Sequence, residues 1–148
     1  MKESLNITGA VELILKDSAG WVKQSLMINN LVTTAGKNFV VRKIDNDAED
    51  VGFIAIGSGT TAPTVDDTDI ETELASNAVL FTSVDSVNTD IISFTTTFAE
   101  GVGTGTVNEV ALLSDSDPQK LLCRAVLTTP FDKSGTDYLT VTWKIKIG

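Results

Sequence analysis

The sequence predicts a mainly β protein: an antiparallel β-sandwich of about eight strands with one short helix and one helical turn, in one domain over residues 1–148. Three observations predict it. Tyr138–Ile147 alternates strictly, with Leu139, Val141, Trp143, Ile145 and Ile147 on one side and Tyr138, Thr140, Thr142, Lys144 and Lys146 on the other. That is the period of a half-buried antiparallel strand. From Ala78 onwards, similar stretches succeed one another with turn-forming clusters between them. The composition, 42% hydrophobic and 21% charged, is that of a globular chain, and its Thr, Val and Ser favour strands. A flattened barrel is the alternative closure of the same strands.

Leu5–Lys16 places Leu5, Ile7, Val11, Leu13 and Leu15 on one face and Asn6, Thr8, Glu12 and Lys16 on the other, with Gly9 a candidate bulge. Asp17-Ser18-Ala19-Gly20 is a turn, and Trp21–Asn30 returns to complete a hairpin. The period then changes. Thr33 or Thr34 can cap a helix whose body is Lys37–Ile44, with Ala35 and Phe39 on one side. Arg42 and Lys43 fall in its last turn, at the negative end of the helix dipole. Asp45–Asp50 reads as a solvated acidic loop. A calcium loop would need Gly at its sixth position and Glu at its twelfth, where this chain has Asp50 and Ile56.

Val51–Leu74, VGFIAIGSGTTAPTVDDTDIETEL, organises the rest. Its opening run is apolar on both faces, as in a central strand covered on both sides. GSGTT allows a bend but lacks the Lys of a phosphate loop. Thr68-Asp69-Ile70-Glu71 has the spacing of a capping box, and Ile70 and Leu74 would pin the resulting helical turn to the core. Next come strands over Ala78–Val87 and Ile91–Ala99, joined at Asn88-Thr89-Asp90, with Ile92, Phe94 and Phe98 inward. Gly101–Gly105 is a loop, and Thr106–Ser114 pairs with Leu121–Thr129 around Asp115–Pro118.

Charge and chemistry narrow the function. A net charge of −9 with no basic stripe disfavours nucleic acid and anionic membrane surfaces. No apolar run approaches the length of a bilayer span, and MKESLNITGAVELILK alternates where a signal peptide would be uniformly apolar. The chain has no histidine, which excludes Ser-His-Asp and Cys-His catalysis and removes the commonest zinc ligand. Cys123 is the single cysteine; LLCRAVLT places it on a strand face with Leu121, Ala125 and Leu127 as a small buried hydrophobe. Trp143 and Trp21 are both assigned to strand packing. The expectation is a protein that is not an enzyme, with no catalytic, cofactor-binding or metal-binding residues and no cofactor.

Four stretches carry a resemblance: VELILKDSAGWVKQSLMINNLVTTAGKNFV, GFIAIGSGTTAPTVDDTDIETELA, SFTTTFAEGVGTGTVNEVALLSD and LLCRAVLTTPFDKSGTDYLTVTWKIKIG. In their order they resemble a family of small structural proteins of tailed-phage particles, over almost the whole chain. The resembling positions are turn and packing residues. The resemblance implies a virion protein assembled in the host cytoplasm: a capsid decoration (cement) protein on the outer surface of the head, or a tail-fibre or baseplate-associated piece with receptor or carbohydrate binding. Its partners would be the major capsid protein or other virion proteins, and further copies of itself as a dimer or trimer. Compactness, the lack of a heptad or shaft repeat, and acidity favour the head. Inward-pointing aromatics disfavour a sugar platform. The two-sided apolar runs at Phe53–Ile56 and Val110–Leu113 are expected to offer some surface to a neighbouring copy or to the shell.

Overall fold

The computed structural model describes residues 6–148. Nine strands form one antiparallel sheet: β1 (Ile7–Lys16), β2 (Val22–Val32), β3 (Val51–Gly57), β4 (Glu73–Ala78), β5 (Phe81–Val84), β6 (Ile91–Phe98), β7 (Gly105–Ser114), β8 (Leu121–Lys133) and β9 (Tyr138–Ile147). Helix α1 (Thr34–Ile44) follows β2. The strand order is β4-β3-β7-β8-β2-β1-β9-β6-β5. The sheet curls into two facing layers, β4-β3-β7-β8 and β2-β1-β9-β6-β5, with one core between them. That core takes Val11, Leu13, Phe94, Phe98, Val141 and Trp143 from one layer and Ile54, Ile56, Val110, Leu112, Ala125 and Phe131 from the other.

Two strands turn the corners. At one side β2 leaves β1 and pairs with β8 only through Leu31↔Arg124 and Val32↔Cys123. At the other, the expected single strand Ala78–Val87 is instead split between β4, which pairs with β3, and β5, which pairs with β6. The change of layer takes two residues. Val79 N donates to Gly52 O on β3 (2.9 Å), and Leu80 N donates to Thr95 O on β6 (2.8 Å).

The alternation in β9 is realised from Leu139 to Ile145, with Leu139, Val141 and Trp143 fully buried, but Ile147, expected on the same face, is exposed where the strand ends. Trp143 Nε1 donates to Asn30 Oδ1 (3.1 Å). Gly9 is not a bulge, because the β1–β2 register runs unbroken from Gly9 to Leu15 and shifts only at Leu15/Lys16. A side chain on Gly9 would collide with the Asn30 side chain that receives the indole N–H. Leu5, expected on the inward face, lies outside the described residues. Thr33 caps α1, its hydroxyl accepting from Gly36 N (3.0 Å) and donating to Leu121 O (2.6 Å), which ties the helix start to β8.

Two expectations about faces are corrected. Cys123 does not share a face with Leu121. The β7–β8 register slips between Leu112/Leu113, so Cys123 joins the main core while Leu121 points to the opposite side of the sheet. Trp21 is not packed by its strand: it stands on the β1–β2 turn, 75% exposed.

Candidate functional site

The outer face of β3, β7 and β8 carries a second small apolar cluster, Ala55, Ala111, Leu113 and Leu121, capped by Ile70. The connection between β3 and β4, residues 58–72, folds back over this face. A buried charge cluster holds it there. Glu109, on β7 and fully buried, takes four hydrogen bonds: from Gly59 N (3.0 Å) and Thr72 N (2.7 Å) on Oε1, and from Glu71 N (3.1 Å) and Arg124 Nε (2.9 Å) on Oε2. Arg124, opposite Ala111 on β8 and 3% exposed, extends the cluster with Nη1 to Asp67 Oδ2 (3.1 Å). Its Nη2 lies 2.9 Å from Glu109 Oε2 and 3.5 Å from Glu71 Oε2 as a charge contact, without hydrogen-bond geometry.

This cluster explains why the expected helical turn at Thr68–Leu74 does not form. The N–H groups of Glu71 and Thr72 go to Glu109, and the Glu71 carboxylate receives Thr61 N (3.1 Å) instead of reaching back to Thr68. A buried carboxylate that must be satisfied outweighs a local cap. The tight local turn lies earlier: Asp67 accepts from Thr64 N (2.9 Å) and from the Thr64 hydroxyl (2.8 Å). Those bonds, led by Thr64 and aided by Arg124, hold the Asp67 carboxyl below its usual range. Ile70 does reach an apolar cluster, but Leu74 packs on the other face of the sheet as part of β4. The chain therefore covers its own two-sided strands. Phe53–Ile56 and Val110–Leu113 are not the surface for a neighbouring copy that the sequence suggests.

The sequence holds one sign of this cluster, in GSG. A Cβ on Gly57 or on Gly59 would collide with the Glu109 carboxylate, so the loop passes close over Glu109 only with glycine at both positions. Glu109 itself sits in NEVALL, where an acidic residue on a strand reads as solvent-facing.

The acidic loop Asp45–Asp50 is organised around an ammonium. Lys43 Nζ donates to Asp47 O (2.9 Å), Glu49 O (2.9 Å) and Asp50 Oδ1 (2.7 Å). Glu49 turns away to Lys120 Nζ (2.7 Å) and Ser116 Oγ (2.7 Å), and the Lys120 bond above all lowers its carboxyl to about 2. Among the described residues, no group of three or more Cys, Asp or Glu side chains is arranged to hold a metal ion. Likewise, no helix among them is long and apolar enough to cross a membrane.

A cleft of about 560 Å³ opens between α1, β5 and the core, lined by Phe39, Val40, Thr82, Phe94, Leu112 and Cys123 among others. The Lys43–Asp50 pair lies at its polar rim. Burial pushes the Cys123 thiol up to about 12, so it stays protonated near neutral pH and is a poor nucleophile. Large apolar groups left in solvent include Trp21 at the hairpin tip, Leu80, Phe81, Val84 and Val87 along and beside β5, and Val41 and Ile44 on α1, 58% to 85% exposed.

No family model matches the chain, and no curated protein or solved structure shows significant similarity to it.

Proposed function

We propose that this chain is a structural protein of a tailed-phage particle, a decoration protein that binds the outer surface of the head through the major capsid protein and acts as an oligomer. The observation that carries the reading is the ordered series of four resembling stretches over almost the whole chain. The molecule's physical character supports it. Its buried charges are committed to fixing loops, which suits a rigid part better than a turnover site. Its surface combines acidic loops, suited to the outside of a shell and not to packaged DNA, with an apolar strand edge suited to protein contact. The test is co-sedimentation with empty phage heads lacking the protein. Binding that saturates at a fixed number of copies per head supports decoration, and failure to co-sediment contradicts it.

A second reading, a tail-fibre or baseplate-associated piece that binds a receptor glycan, is favoured by Trp21. Of the aromatics, Phe94, Phe98, Phe131 and Trp143 do point inward, but Trp21 is three-quarters exposed. Lys16 pairs with Val22 on one side and Tyr138 on the other, so the residue after Trp21 lies in one cross-sheet row with a second aromatic. A glycan array read with wild type and Trp21→Ala separates the two readings.

A further inference from the structure

The two edges of the curled sheet differ. The β4 edge is stitched to β6 by side chains: Asn77 Nδ2 donates to Thr97 O (2.9 Å) and Thr96 Oγ1 to Ala78 O (2.8 Å). The β5 edge is bare. Every residue from Leu80 to Asp90 is exposed, including Phe81 at 71% and Val84 at 58%. No charged residue and no proline occurs from Val79 to Val84, and the β5–β6 register is unbroken. The usual devices that blunt an open strand edge, a lysine, a proline or a bulge along its length, are missing from this strand. Asp85 N donates to Ile91 O on β6 (2.9 Å). By the two-residue repeat, Phe81 and Ser83 also turn their backbone groups towards β6, and Thr82 and Val84 turn theirs outward.

We propose that β5 pairs antiparallel with β5 of a second copy, about a two-fold axis at Ser83. In this register Thr82 of each copy faces Val84 of the other, and their four outward backbone donors and acceptors on each side are mutually satisfied. Ser83 meets Ser83 at the axis as a close, non-hydrogen-bonded pair, leaving room for both Phe81 rings to close over two small side chains. Asp85 comes opposite Phe81, but its carboxylate is already turned back onto Val87 N (2.8 Å) and Asn88 N (2.7 Å). The occupant is a second copy because the strand is self-complementary in this register. Charge points the same way. Copies of a chain at −9 repel one another wherever acidic loops meet, and β5 itself brings no carboxylate, the one carboxylate per copy that this register adds being that of Asp85, bonded to its own loop. Leu80, Phe81, Val84 and Val87 present on the order of 400 Å² of side chain per copy, about half of each partner's share of a standard interface. This deepens the oligomer part of the proposed function. Its test uses the pure protein, so failure to bind heads would leave it standing, and failure to dimerise would leave head binding standing.

The experiment is sedimentation equilibrium of the full chain, with far-UV circular dichroism as the check on folding. Wild type is expected to dimerise in the micromolar range. Thr82→Pro, which removes an outward N–H, and Val84→Lys, which charges the interface, are each expected to weaken the dimer at least about tenfold with an unchanged spectrum. Ser83→Cys is expected to form a disulfide-linked dimer on mild oxidation, and Ser25→Cys, exposed on β2, to stay monomeric on the gel. A wild type that remains monomeric, a dimer indifferent to folded Thr82→Pro and Val84→Lys, or a Ser83→Cys dimer that does not cross-link overturns the proposal.

Discussion

Trp143 concentrates the core into one side chain. Its ring is fully buried between the layers and its N–H is committed to Asn30, so Trp143→Ala loses both packing and a buried hydrogen-bond partner. The expected cost is about 3–5 kcal/mol. Thr142, one residue earlier and outward, bonds only the Thr95 hydroxyl at 3.2 Å, so Thr142→Ala should cost about 1 kcal/mol or less. Urea unfolding of the two variants checks this, and equal losses would contradict the register of β9. Glu49 gives a pH signature. Its carboxyl, ordinarily at 4.5, is held at about 2 in the folded chain by Lys120, Ser116 and Ser114. A folded value below the unfolded one means the stabilisation is fully present above about pH 4.5 and is lost as pH falls towards 2. Glu49→Gln should therefore lower Tm at neutral pH and show a shallower fall in Tm across that acid window. Parallel Tm–pH curves for the two proteins would contradict it.

At the scale of the element, the loop over residues 58–72 is held by a charge, not by helix-forming propensity. Glu109→Ala leaves Arg124 buried with only the partly exposed Asp67 and Glu71 as partners, and frees three loop N–H groups. The expected loss is about 3–5 kcal/mol, and adding Arg124→Met should recover part of it. Limited proteolysis should cut the variant within 58–72 well before global unfolding; an unchanged cutting rate would mean that Ile70 and the remaining Arg124 contacts suffice to hold the loop. Strands such as β9 and β1, and the Thr33-capped helix, were legible in the sequence because their alternation and cap are local patterns. The Glu109–Arg124 cluster was not legible. It joins residues fifteen apart on neighbouring strands to a loop about forty residues away, and nothing near Glu109 marks it as buried. The same distant bonds cancelled a local capping signal at Thr68–Glu71. The break between β4 and β5 was hidden for a related reason, since a strand that changes layers keeps its strand composition.

At the scale of the whole molecule, an apolar core lies between the two layers of the sheet, and a few buried charges fix the loops around it. Of the eight acidic groups of 45–50 and 66–71, five are ion-paired, with Arg42, Lys43, Lys120 or Arg124, while the β5 edge and Trp21 stand in solvent. The proposed binding is to the outer surface of a phage head. The most direct measurement is an electron-microscope reconstruction of the particle with this chain tagged. A decoration role predicts tag density at symmetric positions on the outside of the capsid shell. Tag density confined to the tail or baseplate, or particles without the tag, would contradict it.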